Sequence, residues 1–407
     1  MEQRMRFWVI TLIVIVCMTI TMTKSKGQDN GVKWAFLIAG SKGYVNYRHQ
    51  ADVCHAYQVL KSGGLKDENI IVMMNDDIAY NFQNPYPGYI PNRPDGPNVY
   101  YNVPRDYTGY EATLRNFYSI LRGDKKAIRR GSGKVLDTKP EDTIFIFFSG
   151  HGNTGILELP DEKVIYADKL VDTLKMKTSY KKMVIYLESC HAGSMFQGLL
   201  PRDSKIYVTT ASNPYENSFA FYCPHEKSPP SPAYTVCLGD LYSISWLEDS
   251  EQIDRKTETL DEQYLKVWSR TYYTYDDQFS HVMRYGNYVN MGNYILDTYQ
   301  GAGQSPENDN YHFNATPTHE HSYKRFNTTT GLVSQQDALL HYLKLKLEKA
   351  SSVDKSKAQT ELDDEISRRK HEDQSVHLIW KFLFGEDIRS IMMANLRSDT
   401  QPLVDDW

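Results

Sequence analysis

The segment from Thr143 to Gly152 reads TIFIFFSGHG, and the segment from Met183 to Gly193 reads MVIYLESCHAG. Each is an apolar run of β-branched and aromatic residues that stops at a turn of small residues. One reactive side chain follows each run, His151 in the first and Cys190 in the second. Such runs are typical of strands buried on both faces of a parallel sheet. Because catalytic groups collect at the carboxyl ends of such strands, we expect His151 and Cys190 to meet there.

A cysteine and a histidine on neighbouring strand ends form a candidate nucleophile and base. A thiol needs a nearby base or imidazolium to become a thiolate. Taken singly, a cysteine is more often a small buried apolar residue, and a histidine is often a structural donor. A metal site is a third interpretation, since His191 adjoins Cys190, but no CxxC or HxxxH spacing supports it. We therefore predict neither a metal nor an organic cofactor.

From Lys33 to about Asp249, strand-like runs alternate with amphipathic or turn-rich segments. This alternation predicts an α/β fold with a mostly parallel sheet flanked by helices on both faces. The segment Asn84–Pro104, rich in Pro, Gly, Asn and Tyr, predicts an irregular surface excursion. The predicted strands are Trp34–Ala39, Asn69–Met74, Thr143–Phe148, Met183–Glu188 and Lys205–Ala211.

The sequence changes character near residue 300. A polar linker, 301–331, precedes two charged helical patterns, Gln335–Lys349 and Lys355–His371. They predict either a solvated helical appendage or a removable pro-segment that lies over the catalytic face. With 407 residues the chain is long enough for one large core and a second, smaller unit. The net charge of -5 gives no general basic field, so nucleic acid is not an expected partner.

The N-terminus predicts a secretory signal over residues 1–26. Arg4 and Arg6 precede an apolar run from Phe7 to about Met22, which is shorter than a membrane-spanning helix usually needs. An uncleaved anchor is the alternative. No second apolar run of spanning length follows, so we expect a soluble, lumenal mature protein without a membrane partner.

Cysteine usage agrees with an oxidising compartment. Cys223 and Cys237 flank a Pro-rich loop and predict a disulfide across it. Cys190 is then unpaired if Cys54 is buried. Tripeptides for N-glycosylation, which occur often by chance, begin at Asn314 and Asn327.

Several long motifs resemble the legumains, the asparaginyl endopeptidases of the caspase-like cysteine peptidase clan. The motifs are NYRHQAD at 46–52, HG at 151–152, ESC at 188–190 and CLGDLYS at 237–243. The Pro-rich loop, SWLEDS at 245–250 and QPLVDDW at 401–407 are similar to plant vacuolar processing enzymes in particular. The resemblance covers nearly everything after the signal and implies a caspase-like fold.

The resemblance implies a catalytic role for four residues. Cys190 would be the nucleophile, His151 its base or imidazolium partner, and Asn46 the residue that orients the histidine. The backbone N–H groups of Cys190 and Gly152 would hold the oxyanion.

The resemblance also implies a specificity pocket for an asparagine side chain, made of Arg48, His49, Glu188, Ser218 and Asp240. An amide offers one carbonyl acceptor and an NH2 with two donors. We expect Arg48 to donate to the carbonyl, and Glu188 and Asp240 to accept from the NH2. An ionised aspartate would be repelled by these carboxylates, so cleavage after Asp is expected only at low pH.

In plant relatives a helical activation segment covers the active site with a glutamine in the pocket, and Gln335 stands at the matching place. Activation would require cleavage in the linker. Acid should favour release, because protonated carboxylates no longer form the ion pairs that hold a charged pro-segment. The candidate self-cleavage sites are Asn30, Asn308, Asn310, Asn314 and Asn327.

The chain departs from the family pattern beside both catalytic residues. Gly150 stands where relatives usually carry an Asp whose succinimide is linked to ligase behaviour. SCHAG replaces the usual ACESG, so Ser189 and His191 are new, and His191 adds a titratable group beside the thiol. The sequence ends at Trp407, where relatives continue into a helical domain, so we expect a shortened prodomain.

We predict a cysteine endopeptidase that cleaves proteins and peptides after Asn, and after Asp at low pH. It would be an acid-activated zymogen of the vacuole lumen, or an extracellular one, inhibited by its own C-terminal segment. The predicted parts are the signal, a peptidase domain at 27–300, the linker, and a helical activation segment with shortened prodomain at 332–407. The alternatives are a peptide asparaginyl ligase or transpeptidase, which passes the same thioester to an amine, and a catalytically weak pseudoenzyme.

Overall fold

The computed structural model describes residues 31–224, 234–272, 280–302 and 331–384. The predicted signal, Asn30 and the candidate cleavage and glycosylation sites in the linker lie outside these ranges. The strands are β1 Lys33–Ala39, β2 Ile70–Met74, β3 Tyr107–Thr108, β4 Thr143–Ser149, β5 Gly152–Asn153, β6 Ile156–Glu158, β7 Val164–Tyr166, β8 Lys182–Glu188, β9 Ile206–Thr210, β10 Phe219–Phe221, β11 Gly239–Asp240, β12 Met283–Gly286 and β13 Val333–Ser334. The helices are α1 Tyr47–Ser62, α2 Leu114–Arg122, α3 Ala167–Met176, α4 Leu241–Gln252, α5 Leu260–Tyr272, α6 Tyr288–Met291, α7 Asp297–Gln300, α8 Ala338–Lys349 and α9 Lys355–Phe384.

A seven-stranded sheet in the order β12-β9-β8-β4-β1-β2-β3 forms the centre of the larger unit. All neighbours in it are parallel except β12, which runs antiparallel to β9. All seven residues of β4 are buried, as a strand covered on both faces requires. The predicted α/β class and mostly parallel sheet are therefore confirmed. Each of the five predicted strands is present, with ends that differ by one residue at most.

Two small antiparallel sheets carry the loops around the carboxyl end of the central sheet. One has the order β5-β6-β7 and follows β4 directly in the chain. The other has the order β11-β10-β13, so residues from three distant parts of the chain meet in it. The segment between β2 and β3 contains no helix or strand, which confirms the irregular excursion predicted at Asn84–Pro104.

The chain divides into two compact units, 1–338 and 339–407. In the described part of the second unit, α9 is longer than the sequence pattern indicates, because it continues from the predicted end at His371 to Phe384. Charged pairs one turn apart support this polar helix, such as Glu365 with Arg368 at 2.8 Å and with Arg369 at 2.7 Å. Lys346 on α8 forms an ion pair with Glu361 on α9.

Trp246 on α4 packs against the central sheet and is only 1% exposed. Its ring meets Phe147 on β4 edge to face at 5.0 Å between centroids and Tyr186 on β8 at 5.3 Å. Such aromatic pairs add stability beyond the apolar area that they bury. Trp246 therefore packs α4 against the two strands that His151 and Cys190 follow.

We expect Trp246→Ala to lower the free energy of unfolding by about 3–5 kcal/mol, the usual cost of a large aromatic cavity. Denaturant unfolding at fixed pH measures it. Tyr110→Ala is the control, because Tyr110 is 99% exposed. Equal midpoints for the two variants would contradict the packing described here.

Candidate active site

The two catalytic candidates follow strands that end side by side. β4 and β8 pair in parallel, and their last partners are Ser149 and Glu188. The Gly150 N–H donates to the Glu188 carbonyl at 3.1 Å, which extends the pairing by one step. His151 and Cys190 come immediately after this point, at the strand ends where the sequence pattern predicted a site.

Asn46 determines which nitrogen of His151 carries the proton. Its Nδ2 donates to the Lys42 carbonyl at 2.9 Å, so its Oδ1 is the atom 2.8 Å from His151 Nε2. An amide oxygen only accepts, so Nε2 carries hydrogen and Nδ1 keeps a lone pair. Burial, and next the charge of Arg48, lower the pKa of His151 to about 3. The imidazole is therefore neutral and can accept a proton through Nδ1.

The Cys190 thiol is protonated in this form of the protein. Cys190 is only 3% exposed, and burial raises the pKa of its thiol to about 11. Ser218 opposes this shift, and the charge of Glu188 adds to it. The pair is thus a thiol and a neutral imidazole here, not a thiolate and an imidazolium.

Gly152 lies beside Cys190, and its N–H takes no part in the pairing of β5 with β6. Glu158 N donates to the His151 carbonyl at 3.0 Å, and Gly152 faces Leu157 in the next pair. Because hydrogen-bonded and non-bonded pairs alternate along an antiparallel ladder, the Gly152 N–H points away from β6. An added Cβ at Gly152 would lie 3.0 Å from the Cys190 carbonyl oxygen. A larger residue at this position would have to displace that oxygen and the Ser189 hydroxyl, 2.8 Å from the same point.

Gln335, which follows β13, inserts its amide among the predicted pocket residues and is 2% exposed. Its Oε1 is 3.1 Å from Arg48 Nη2 and 3.2 Å from His49 Nε2. Its Nε2 donates to Glu188 Oε1 at 3.2 Å. The amide therefore has a cation at its oxygen and a carboxyl group at its nitrogen.

Glu188 is held from the other side by α4. Its Oε2 accepts from the backbone N and from Oγ of Ser243, both at 3.2 Å. Burial, and next the charge of Asp240, raise the pKa of Glu188 to about 8. The group is thus oriented by hydrogen bonds and holds a proton more firmly than an exposed glutamate.

Asp240 has a different partner from the one expected. It accepts from Arg48 Nε at 2.9 Å, and both side chains are essentially unexposed. The amide nitrogen of Gln335 goes to Glu188, whereas Asp240 orients the guanidinium that serves the amide oxygen. Burial raises the pKa of Asp240, and the charge of Arg48 opposes that shift.

His49 and Ser218 complete the surroundings. The ring of His49 meets that of His151 edge to face at 4.8 Å, and its Nδ1 is 2.6 Å from Ser41 Oγ. The Ser218 carbonyl accepts from the Gln335 N–H at 3.0 Å. The Ser218 hydroxyl is close enough to Cys190 and Glu188 to lower the pKa of each.

Gly150 and His191, two of the departures from the expected pattern, have close local contacts. A Cβ at Gly150 would lie 2.9 Å from both the Gly40 Cα and the Phe148 ring, so the Phe148 ring occupies the space of a larger side chain. His191 adopts a left-handed conformation with φ 53°. Its Nδ1 lies 3.1 Å from the Pro214 carbonyl, which holds the ring on the loop after β9.

Residues that the sequence analysis did not select support the pocket from behind. Asp52 accepts from Asn92 Nδ2 at 2.8 Å and from Ser149 Oγ at 3.0 Å. Asp52 lies one helical turn after Arg48 on α1, and this spacing is a signal that could have identified it. Asn92 carried no such signal, because it lies in the irregular excursion.

The disulfide between Cys223 and Cys237 is confirmed, and Cys54 and Cys190 are free and buried. Within the described ranges, no group of three or more His, Cys, Asp and Glu side chains is arranged to hold a metal ion. None of the helices in the described part of the chain is both long and apolar enough to cross a membrane.

Comparison with known proteins agrees with this geometry. Residues 33–302 match the Peptidase C13 family, and residues 360–407 match the legumain prodomain. The vacuolar-processing enzyme of Citrus sinensis is 48% identical over 382 residues, which cover 93% of this chain and 75% of that protein. The legumain of Canavalia ensiformis is 45% identical over 391 residues, which cover 95% of this chain and 80% of that protein.

Among solved structures, caspase-1 from Spodoptera frugiperda superposes with a TM-score of 0.37 and 11% identity, covering 68% of this chain and 91% of its own. The sequence matches define the class of protein as a cysteine-type endopeptidase. The chain belongs to the Peptidase C13 family, and its C-terminal part matches the legumain prodomain.

We expect alkylation of Cys190 by iodoacetamide to be slow at pH 7 and to rise about tenfold for each pH unit towards pH 10. The reason is that the thiolate fraction grows in this way below a pKa of about 11. Mass spectrometry of the peptide that contains Cys190 measures the rate, and the buried thiol of Cys54 is an internal control. A rate that is already at its plateau at pH 6 would indicate a thiolate and an imidazolium instead.

Proposed function

We propose that this endopeptidase hydrolyses peptide bonds on the carboxyl side of asparagine. The observation that carries the proposal is the position of the Gln335 amide, between the Arg48 guanidinium and the Glu188 carboxyl group. Among neutral side chains, only a carboxamide offers an acceptor and an NH2 donor at the spacing that these two groups match. Gln335 would then be an intramolecular mimic of the substrate.

Asparagine is favoured over glutamine by its length. An asparagine side chain is one methylene shorter than a glutamine side chain. With the same amide contacts, the main chain of a substrate asparagine would therefore lie closer to Cys190 than the main chain of Gln335 does. A backbone bond like the one from the Gln335 N–H to the Ser218 carbonyl would align the substrate. Gln335 would occupy the pocket without presenting its own peptide bond correctly for attack.

In the proposed reaction the Cys190 thiol proton moves to His151 Nδ1 as Sγ attacks the scissile carbonyl carbon. The oxyanion accepts hydrogen bonds from the N–H groups of Cys190 and Gly152. His151 then gives its proton to the leaving amine, which departs as the carbon–nitrogen bond breaks and a thioester remains. Water, deprotonated by His151, attacks the thioester and releases the carboxylic acid and the thiol. Asn46 holds the imidazole in the required tautomer throughout.

Aspartate is proposed as a substrate only in acid. An ionised aspartate would bring an unpaired negative charge into a buried site that already contains the Asp240 carboxyl group. A protonated aspartate can donate its O–H to Glu188 where the asparagine NH2 donates.

Activation is proposed to require a cut between residues 303 and 330, at Asn308, Asn310, Asn314 or Asn327, and a further cut at Asn30. Acid is proposed to assist release. In the second unit the hydrogen bond and charge of Arg368, with those of Arg369, lower the pKa of Glu365. A carboxyl group with a lowered pKa contributes stability that is lost as the pH falls through that pKa, so this helical unit loosens in acid.

The names of the plant relatives support the vacuole lumen as the compartment and its proteins as substrates.

We expect Gln335→Ala to weaken latency. The uncut variant should cleave an Asn-containing peptide at least about tenfold faster than the uncut wild type, because an empty pocket admits substrate. Gln336→Ala is the matched control, since Gln336 is the exposed neighbour. Cys190→Ala should abolish both peptide cleavage and loss of the C-terminal segment in acid, as followed by mass spectrometry. Equal latency in the Gln335 and Gln336 variants would refute the substrate mimicry.

We expect Glu188→Gln in the activated enzyme to lower kcat/KM for an Asn peptide by about 100-fold, because a polar pocket group is then mismatched. A glutamine there cannot accept from both the Ser243 N–H and the substrate NH2 through its single oxygen. The Asp peptide should lose less, so the ratio of the two kcat/KM values should narrow. Asp168→Asn on α3 is an exposed control, and an unchanged ratio in Glu188→Gln would exclude the assigned contact.

A further inference from the structure

A continuous series of buried hydrogen bonds leads from the specificity pocket to helix α4. Every side chain in the series is less than a tenth exposed. Arg48 is the member of the series that donates to the Gln335 amide. In order from the pocket, the members are Arg48, Asp240, Asp52, Asn92, His55 and Glu251.

The first part of the series determines where the guanidinium points. Asp240 accepts from Arg48 Nε at 2.9 Å. Asp52 in turn accepts from the Asp240 backbone N–H at 3.4 Å. Ser149 Oγ donates to Asp52 at 3.0 Å and lies 3.5 Å from Asp240 Oδ2. A shift of Asp52 would therefore move Asp240, and with it the cation that serves the amide oxygen.

Asn92 connects Asp52 to the main chain before β11. Its Nδ2 donates to Asp52 Oδ1 and to the Leu238 carbonyl, both at 2.8 Å. A carbonyl oxygen only accepts, so this contact fixes the orientation of the amide. Asn92 Nδ2 approaches the backbone of Gly239 closely, because a Cβ added to Gly239 would lie 2.9 Å from this nitrogen. Glycine at this position gives Asn92 access to both acceptors.

His55 holds the other end of the Asn92 amide and carries a positive charge. Asn92 Oδ1 is 2.8 Å from His55 Nδ1 and can only accept, so Nδ1 carries hydrogen. His55 Nε2 forms an ion pair with Glu251, which Arg93 Nη1 also contacts at 3.1 Å. Both ring nitrogens therefore donate. Burial lowers the pKa of His55, but the charge and hydrogen bond of Glu251 outweigh it, so the pKa is raised overall.

We propose that Asn92 and His55 are positioning residues of the specificity pocket, which hold Asp52 and Asp240 so that Arg48 meets the substrate amide. The proposal rests on the function proposed above, because it assigns these residues to the same Asn pocket. It also gives the irregular excursion between β2 and β3 a role. The excursion places the Asn92 amide between Asp52 on α1 and the Leu238 carbonyl.

The test compares Asn92→Ala with Gln58→Ala in the activated enzyme. Gln58 lies on α1 and binds the same excursion, through the carbonyls of Val99 at 2.7 Å and Tyr101 at 2.8 Å, but it has no bond to Asp52. We expect KM for an Asn peptide to rise about tenfold in Asn92→Ala, with kcat within about threefold of wild type. Gln58→Ala should keep the wild-type KM. Alkylation of Cys190 by iodoacetamide, which needs no pocket, should be alike in all three proteins.

A second variant tests whether Asn92 and His55 act together. His55→Gln should raise KM by a similar factor, and the double variant should show about a tenfold rise, not the roughly 100-fold of independent effects. The conservative Asn92→Asp keeps the shape but cannot donate to Asp52, so it should behave as Asn92→Ala does. Equal KM values in Asn92→Ala, Asn92→Asp and Gln58→Ala, or a loss confined to kcat, would overturn the proposal. If the wild type itself left the Asn peptide uncut, the proposed function would fail and this inference with it.

Discussion

The parallel pairing of β4 with β8 is the constraint on which the active site depends. Ser149 and Glu188 are partners at the last step, so the turns that carry His151 and Cys190 begin at the same level of the sheet. Because side chains alternate between the two faces of a strand, a slip of one residue would send Glu188 to the opposite face. The apolar residues of both strands are buried on both faces, which makes such a slip costly. The pairing of these two strands thus sets the positions of His151, Cys190 and Glu188 together.

The pocket places an ion pair, Arg48 with Asp240, where water cannot reach it. Desolvation of two such groups offsets much of their attraction, so this pair is weak evidence for stability. Its value is orientation, because the planar guanidinium has one edge on Asp240 and another free to meet an amide oxygen. The protonated states of the neighbours limit the charge in this space. The raised pKa of Glu188 and the lowered pKa of His151 both disfavour additional buried charges.

The small sheet β11-β10-β13 joins the pocket to its occupant. Asp240 belongs to β11, Ser218 immediately precedes β10, and Gln335 immediately follows β13. While the chain is intact, Gln335 is presented at the high effective concentration of an intramolecular ligand. Once the chain is cut before β13, noncovalent contacts hold Gln335, among them the pairing of β13 with β10 and the hydrogen bonds of the Gln335 amide. Under the function proposed above, such an intramolecular ligand would block the pocket before cleavage and would be replaceable by substrate afterwards.

The sequence by itself determined the five parallel strands, the reactive residues at two of their ends, the disulfide and the irregular excursion. These features depend on local periodicity, on turn-forming residues and on spacing, which are readable without knowledge of distant contacts. Only the tertiary structure decided that Asp240 serves Arg48 and not the amide, and that Asn92 and His55 stand behind the pocket. Arg48 and Asp240 are 192 residues apart, and Asp52 and Asn92 are 40 apart in a segment without regular structure. Hydrogen-bond partners at such separations are chosen by how the elements pack, and no local pattern in the chain encodes them.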